Sequence, residues 1–229
     1  ENLVSEKTAL VSVMHANNEI GVIHPIGEIG KICVKYGALF HTDAAQSAGK
    51  VPINIDDQHI DLLSISGHKI YGPKGVGALF IRKEIKQKLL PIIFGGGQEA
   101  DLRSGTLPTP LCVGLGAAAR ICEQDMEDDR NKIGAQRDVF WRIVQELTPC
   151  VFLNGSSSDR LYNNLNVCFE GVSSQDLLAC INERVSASTG SACTSGFIEP
   201  SHVLRSIGLT HEQINSSLRF GFGRGLVIE

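Results

Sequence analysis

Ser66-Gly67-His68-Lys69-Ile70-Tyr71-Gly72-Pro73-Lys74-Gly75 lies between two apolar runs, Ile60 to Ile65 and Val76 to Ile81. Each run has the length and composition of a buried strand. A lysine between a strand end and a Gly/Pro turn is placed to reach into a pocket. Ser66 and His68 are two residues apart, so on an extended chain they share a face. Hydroxyl, imidazole and amine together suit a phosphate-bearing aldehyde cofactor: the amine forms a Schiff base and the other two bind phosphate. A glycine-rich turn with a solvated lysine is the alternative reading of the same ten residues.

The flanking chain alternates helix and strand. Thr8 to Met14 is a short apolar run ending in His15-Ala16-Asn17-Asn18. Pro25 to Tyr36 carries Ile26, Ile29, Ile32 and Cys33 at helical spacing, with Pro25 suited to the first turn and Gly37 to the C-terminal cap. Ala38 to His41 is the next strand, ending in Thr42-Asp43-Ala44-Ala45-Gln46. This rhythm predicts a mostly parallel sheet, whose strand C-terminal ends are where such folds bind ligands. An Asp there either holds a pyridinium nitrogen protonated or caps a helix. Asn18 there donates to a phenolic or carboxylate oxygen, or the two Asn residues simply build a turn.

From Pro110 to about Leu147 the pattern is one long helical stripe, interrupted by the charged stretch Glu123 to Arg130. That pattern suits a helix passing from one domain to another. The expected division is residues 1–125 for a large domain and 126–229 for a small α+β domain. Strands are expected at 151–153, 165–169, from 185 and at 217–222, and helices at 174–183 and 201–207, the latter closed by Gly208.

Composition bounds the answer. The chain has 229 residues, 42% hydrophobic and 20% charged, with a formal net charge of -4. That allows a sizeable core and one or two domains. No Lys/Arg run argues for nucleic acid or an anionic membrane, and no apolar run is long enough to span a bilayer. The start is not a signal peptide and lacks Met, as expected of a sequence that begins inside a longer chain. Seven scattered cysteines form no CxxC pair, so neither a disulfide framework nor a metal site is expected, and the compartment is a reducing one. Cys33, Cys112, Cys122, Cys168 and Cys180 lie in apolar or periodic surroundings and are expected as small core hydrophobes, whereas Cys150 is near a loop. Cys193, in Ser188-Thr189-Gly190-Ser191-Ala192-Cys193-Thr194-Ser195, has no large apolar neighbour. A polar, accessible loop is where a nucleophilic thiol can work, although an incidental surface cysteine would look the same. Arg219, inside an expected strand, needs a carboxylate partner, either a substrate's or an internal one.

Four motifs, SGHKIYGPKG, HANNEIG, HTDAAQS and STGSACTS, resemble the PLP-dependent cysteine desulfurases of the class-V aminotransferase family, in particular the iron–sulfur-cluster branch. The resemblance runs almost end to end. It implies PLP fold type I, an α/β arrangement with helices on both faces of a mostly parallel large-domain sheet and a smaller α+β domain, both incomplete. It implies pyridoxal 5′-phosphate on Lys69, with Asp43 at the ring nitrogen, Gln46 and Asn18 at the ring oxygen, and Ser66 and His68 at the phosphate. Thr106, in Leu102-Arg103-Ser104-Gly105-Thr106-Leu107-Pro108, is similar to the residue that reaches the partner's cofactor phosphate across a homodimer. Arg219 with Asn18 would clamp the substrate carboxylate, and Cys193 would take sulfur from L-cysteine as a persulfide. His15 joins Lys69 and Cys193 as a candidate catalytic side chain. It does not fill the place of the family's aromatic-stacking His, which precedes residue 1 together with a phosphate-cradling Gly-Thr pair. A final acidic helix beyond Gly223-Arg224 also falls outside this sequence.

The partners implied are an iron–sulfur scaffold protein, a frataxin-like regulator or a tRNA-thiolation acceptor, in the bacterial cytoplasm or the mitochondrial matrix. Nucleic acid is not contacted directly. The rival readings are a selenocysteine lyase-like PLP enzyme and an inactive or partner-dependent part of a desulfurase. A transaminase fits less well, because its chemistry needs no thiol.

Overall fold

The computed structural model describes residues 2–189 and 200–226. The chain divides into two compact units. The first holds residues 1–15 and 24–125, the second residues 16–23 and 126–229. The short segment Ala16–Ile23, which carries Asn18, thus belongs with the second unit.

In the first unit, β1 (Leu10–Met14), β2 (Leu39–Asp43), β3 (Leu62–Ser66) and β4 (Gly77–Ile81) form one sheet in that order. β1, β2 and β3 are parallel and β4 is antiparallel to β3. α1 (Ile26–Tyr36) joins β1 to β2. Pro25 stands at its N-cap, and Gly37, at φ 71°, closes it with an N–H to the carbonyls of Cys33 and Val34. α1 sets Ile26 and Cys33 against Phe40 and Ile60, both fully buried, with Val11, Val13 and Leu63 around them. Burying these side chains contributes about 2 kcal/mol each, which fixes the sheet's inner face. The alternation on β1 leaves Leu10 and Met14 on the opposite, exposed face. On β2, His41 accepts or donates at Ser12 Oγ (2.7 Å) and Ser64 Oγ (3.3 Å), a polar ladder across three strands.

The expected helical pattern over 110–147 is one continuous helix, α2 (Thr109–Leu147), 39 residues long. In the first unit its residues Leu115, Ala118 and Cys122 pack with Ile70 and Ala48. Gly49, at φ 70°, takes part in this packing. A Cβ there would lie 2.8 Å from the Cys122 side chain, so only glycine fits.

The second unit has a four-stranded antiparallel sheet in the order β5 (Val151–Leu153), β6 (Asn164–Phe169), β8 (Ser217–Gly221), β7 (Ala187–Thr189). Leu165, Val167, Leu218 and Phe220 form its core, and Phe140 of α2 packs tilted against Phe220 with ring centroids 5.0 Å apart. α3 (Ser174–Ile181), α4 (His202–Ser206) and α5 (His211–Asn215) complete it. Each starts on a side-chain cap: Ser173 accepts from Asp176 N–H, Ser201 from Leu204 N–H, and Thr210 forms a capping box with Gln213.

Several expectations are corrected in detail. α5 was not expected from the sequence; five residues give too little periodicity to stand out. Cys180 is exposed rather than inward, since α3 turns Leu177, Leu178 and Ile181 toward the core and leaves position 180 on the other side. Cys112 is half-buried. Ser201 and Ile207 flank α4 as caps rather than lying within it.

Candidate active site

The lysine motif is not a strand-to-loop extension. After Ser66 ends β3, residues Gly67–Ile70 turn into a single 3₁₀ helix. His68 is therefore off the strand, yet its Nδ1 still meets Ser66 Oγ at 3.0 Å. The turn closes tightly: Gly67 N–H donates to Val76 O, Gly72 N–H donates to Gly67 O, and Tyr71 adopts the left-handed conformation at φ 62°. A non-glycine residue there costs roughly 1 kcal/mol, a local strain beside Lys69. Among the described residues nothing binds the Lys69 amine, and its side chain is neither fully buried nor fully exposed.

Asp43 is the last residue of β2, paired in register with Ser64 of β3. Its Oδ1 accepts from Ala45 N–H at 2.8 Å, a turn-building bond, and the residue remains exposed. No helix follows for Asp43 to cap: one oxygen builds a turn instead, and the other is open to a further donor. The chain then folds into a turn over 44–50, with Ala44 N–H bonded to Ser64 O. Gln46 lies on that turn, half-buried, its side chain without a partner among the described residues.

The carboxyl ends of the three parallel strands thus bring His15, Asp43, Gln46, Ser66, His68 and Lys69 to one edge of the sheet. His15 N–H bonds the Asp43 carbonyl at 2.9 Å. The His15 side chain is 3% exposed, and among the described residues its Nδ1 has no hydrogen-bond partner. Burial, and then His24 nearby, lower its pKa to about 4, so it is neutral at ordinary pH. Thr106 is exposed on the segment after Ser104, whose N–H bonds Ile93 O. Among the described residues no contact brings Thr106 to the strand-end group.

In the second unit the two asparagines separate in role. Asn17 is buried, and its Oδ1 takes the N–H groups of Glu19 and Ile20, so it builds the turn. Asn18 is half-buried with an uncommitted side chain. Gly21, at φ 71°, lets the turn close onto Asn164, where a Cβ would come within 2.6 Å of its Oδ1. Arg219 on β8 donates from Nη1 to the Asn18 carbonyl at 3.0 Å. It has no carboxylate partner among the described residues, so the internal salt bridge that the sequence also allowed is not formed there. The Glu19 carbonyl takes Asn164 and Asn166 Nδ2, and its carboxylate takes the Ser201 hydroxyl at 2.6 Å.

Cys193 lies outside the described residues. The six described cysteines are free thiols. Burial raises the pKa of Cys33 and Cys168, which keeps them protonated and inert. Among the described residues no group of three or more His, Cys, Asp or Glu side chains is placed to hold a metal ion. No helix there is long and apolar enough to cross a membrane. Sequence reasoning missed Lys50 and Glu19. Each is a charged residue in a mixed stretch, and only the fold shows that both are enclosed.

Comparison with known proteins adds a second line. The sequence is 51% identical over 224 residues to cysteine desulfurase IscS of Rickettsia typhi, covering 98% of this chain and 54% of that protein. It is likewise 51% identical to a probable mitochondrial cysteine desulfurase of Dictyostelium discoideum, covering 50% of it. The chain therefore spans about half the length of the curated relatives it matches. Its structure superposes on a NifS-like protein from Rickettsia africae with TM-score 0.87 at 32% identity, over 96% of this chain and 58% of that one. SspA in complex with cysteine matches with TM-score 0.79 at 38% identity, over 96% of this chain and 60% of that one. The fold is thus the α/β arrangement of the NifS-like structures, PLP fold type I. A family model for class-V aminotransferases matches residues 1–226, and a strand-end lysine with a strand-end aspartate sits inside that match: the chain belongs to the class-V aminotransferase family.

Proposed function

We propose that this chain carries the chemistry of a cysteine desulfurase, converting L-cysteine to L-alanine and passing the sulfur to Cys193. The observation that supports it most is the strand-end group: an uncommitted Lys69 amine on the turn after β3 and the Asp43 carboxylate at the end of the neighbouring strand β2. A primary amine, an anion and a hydroxyl–imidazole pair are the donor set that pyridoxal 5′-phosphate requires, so the residues fit the group. When bound, that cofactor supplies an aldehyde that condenses with amines and a ring that withdraws electrons.

The chain's own residues divide the remaining work. Lys69 holds the cofactor and moves the substrate α-proton. Asp43 would keep a proton on the ring nitrogen, and Gln46 and Asn18 would bond the ring oxygen. Ser66, His68 and Thr106 would bond the phosphate, Thr106 from the second copy in a homodimer. Arg219 and Asn18 hold the α-carboxylate, a pairing that Arg suits by its two parallel N–H groups. His15 enters as a neutral imidazole. Cys193, as thiolate, attacks the substrate sulfur. The S–S bond forms, the C–S pair stays on carbon and takes a proton, and alanine leaves. The domain division at residues 125–126 is part of the same proposal. So is delivery of the sulfur to an iron–sulfur scaffold, with a frataxin-like regulator, or to a tRNA-thiolation protein, in bacterial cytoplasm or mitochondrial matrix.

The test begins with the visible spectrum of the purified chain mixed with pyridoxal 5′-phosphate, with Lys69→Ala as control. A Lys69-dependent band is expected, followed by alanine release from cysteine and a persulfide mapped to Cys193 by mass spectrometry. Absence of the band from the unmutated chain overturns the reading for this chain alone and favours a partner-dependent one. Faster alanine release from selenocysteine than from cysteine favours the selenocysteine lyase reading.

A further inference from the structure

Lys69 sits in a turn whose hydrogen bonding is incomplete. In a helix, the Lys69 carbonyl would take the N–H four residues on, but that residue is Pro73, which has none. Gly72 N–H, three residues on, is already given to Gly67 O. The turn that carries Gln46 has the same gap. Four residues on from Gln46 is Lys50, whose backbone N–H goes to Ser47 O instead.

One side chain closes both gaps. Lys50 Nζ donates to Gln46 O at 3.0 Å and to Lys69 O at 3.0 Å. It is a cross-brace between two loops that follow neighbouring strands, each bearing a candidate cofactor-contacting residue. Resting on the proposed function above, we infer that Lys50 is a positioning residue that fixes the separation of Lys69 and Gln46 and so sets where the Lys69 amine can meet an aldehyde.

Two further features agree with this role. The ammonium is held in an enclosed place: burial, against a raising influence of Cys122 and a lowering one of Lys69, brings its pKa down to about 8. A residue kept for packing alone would sit there more favourably as a Met of similar volume, because burying a charge is costly. The neighbouring Gly49 is wedged on Cys122, so the turn cannot drift to accommodate a different brace.

The test uses the full chain and pyridoxal 5′-phosphate as the probe. Each variant is treated with it, reduced with borohydride, and the labelled lysine is mapped by mass spectrometry. The cofactor dissociation constant is read from the absorbance band. Lys50→Met keeps the stem and removes the donors. It is expected to fold, to bind the probe at least about tenfold more weakly, the lower end of what loss of a charged hydrogen bond implies, and to spread the label to other lysines. Lys50→Arg keeps donors and is expected to recover selective labelling at Lys69. If Lys50→Met does not fold by circular dichroism, Lys50→Gln, too short to reach either carbonyl, replaces it. Equal affinity and equal Lys69 labelling in the donor-free and unmutated chains overturn the inference, as does a Lys50→Arg no better than Lys50→Met. If the unmutated chain is not labelled at Lys69, the cofactor reading itself is overturned and the inference falls with it.

Discussion

Arg219 donates from Nη1 to the carbonyl of Asn18 at 3.0 Å, joining residues 201 positions apart in sequence. The guanidinium is thereby anchored to the backbone of the very residue whose side chain is the other candidate carboxylate contact. An anchored guanidinium presents its remaining N–H groups in a fixed direction, which is what recognition of a planar carboxylate needs.

The first prediction concerns that pair. Arg219→Lys keeps the charge and removes the fork. Losing a charged hydrogen bond costs about 2 kcal/mol, so the cysteine dissociation constant of the loaded protein should rise roughly 30-fold. The change should appear as a raised KM with the Lys69-dependent band unaltered. An unchanged KM would remove Arg219 from the substrate contacts.

His15 gives a pH signature. Its pKa in the folded chain is about 4, below the ordinary 6.5, chiefly through burial. The unfolded chain therefore takes up the proton first as pH falls. The stability from keeping His15 neutral is complete above pH 6.5 and is lost progressively toward pH 4. The full loss is on the order of 3 kcal/mol. Urea unfolding at pH 7 and pH 4.5 should show this loss, and His15→Gln, which cannot take a proton, should show a smaller difference between the two. Equal differences would mean that burial of the imidazole is not what couples stability to pH.

Ser201 does two things at once. Its Oγ accepts from Leu204 N–H to start α4, and its hydroxyl donates to the buried Glu19 carboxylate. Ser201→Ala removes a cap, worth about 1 kcal/mol, and deprives a buried acceptor of its donor, worth roughly 1–3 kcal/mol. A fall of about 3 kcal/mol in unfolding free energy is expected by urea titration. Double substitution with Glu19→Gln should cost less than the sum of the single changes, as for any pair in direct contact.

Arg224 forks onto Asp129 through three contacts, Nε to Oδ1 at 3.0 Å, Nε to Oδ2 at 2.8 Å and Nη2 to Oδ2 at 2.6 Å. Asp129 is 9% exposed and the Arg224 side chain 28%, so the carboxylate is largely shielded while the guanidinium keeps some solvent. Asp129→Asn keeps the shape but loses the charge, and should lower stability by about 2 kcal/mol. A change within about 0.5 kcal/mol would mean that solvent compensates the pair as it does at a surface.

Periodicity and turn chemistry made much of the first unit legible. Apolar runs before Asn18, Asp43 and Lys69 marked three strand ends, and Pro25 with Gly37 bracketed α1. The antiparallel return of β4 was not legible, because a short apolar run carries no direction. The segment 16–23 was read with the strand before it, yet it packs on Asn164 and Asn166 far along the chain, a pairing that no local pattern encodes. The same holds for Lys50 and Glu19. A charged residue in a mixed stretch reads as solvated until the fold closes over it. The candidate side chains themselves stood out through motif and resemblance, whereas the braces behind them did not.

A Cβ added at Gly49 would come within 2.8 Å of both Cβ and Sγ of Cys122, so the turn has no room for an added atom on that side of the contact. Cys122 is a buried thiol, and its Sγ lies 3.7 Å from the Ile70 carbonyl, one residue past Lys69. An oxidant that reached this sulfur would add oxygen where even a methyl group does not fit. The displaced neighbour would be the turn that carries Gln46 and Lys50. Burial protects this sulfur, so its oxidation would be slow, and when it came it would register as a displaced Lys50 brace on the Lys69 carbonyl.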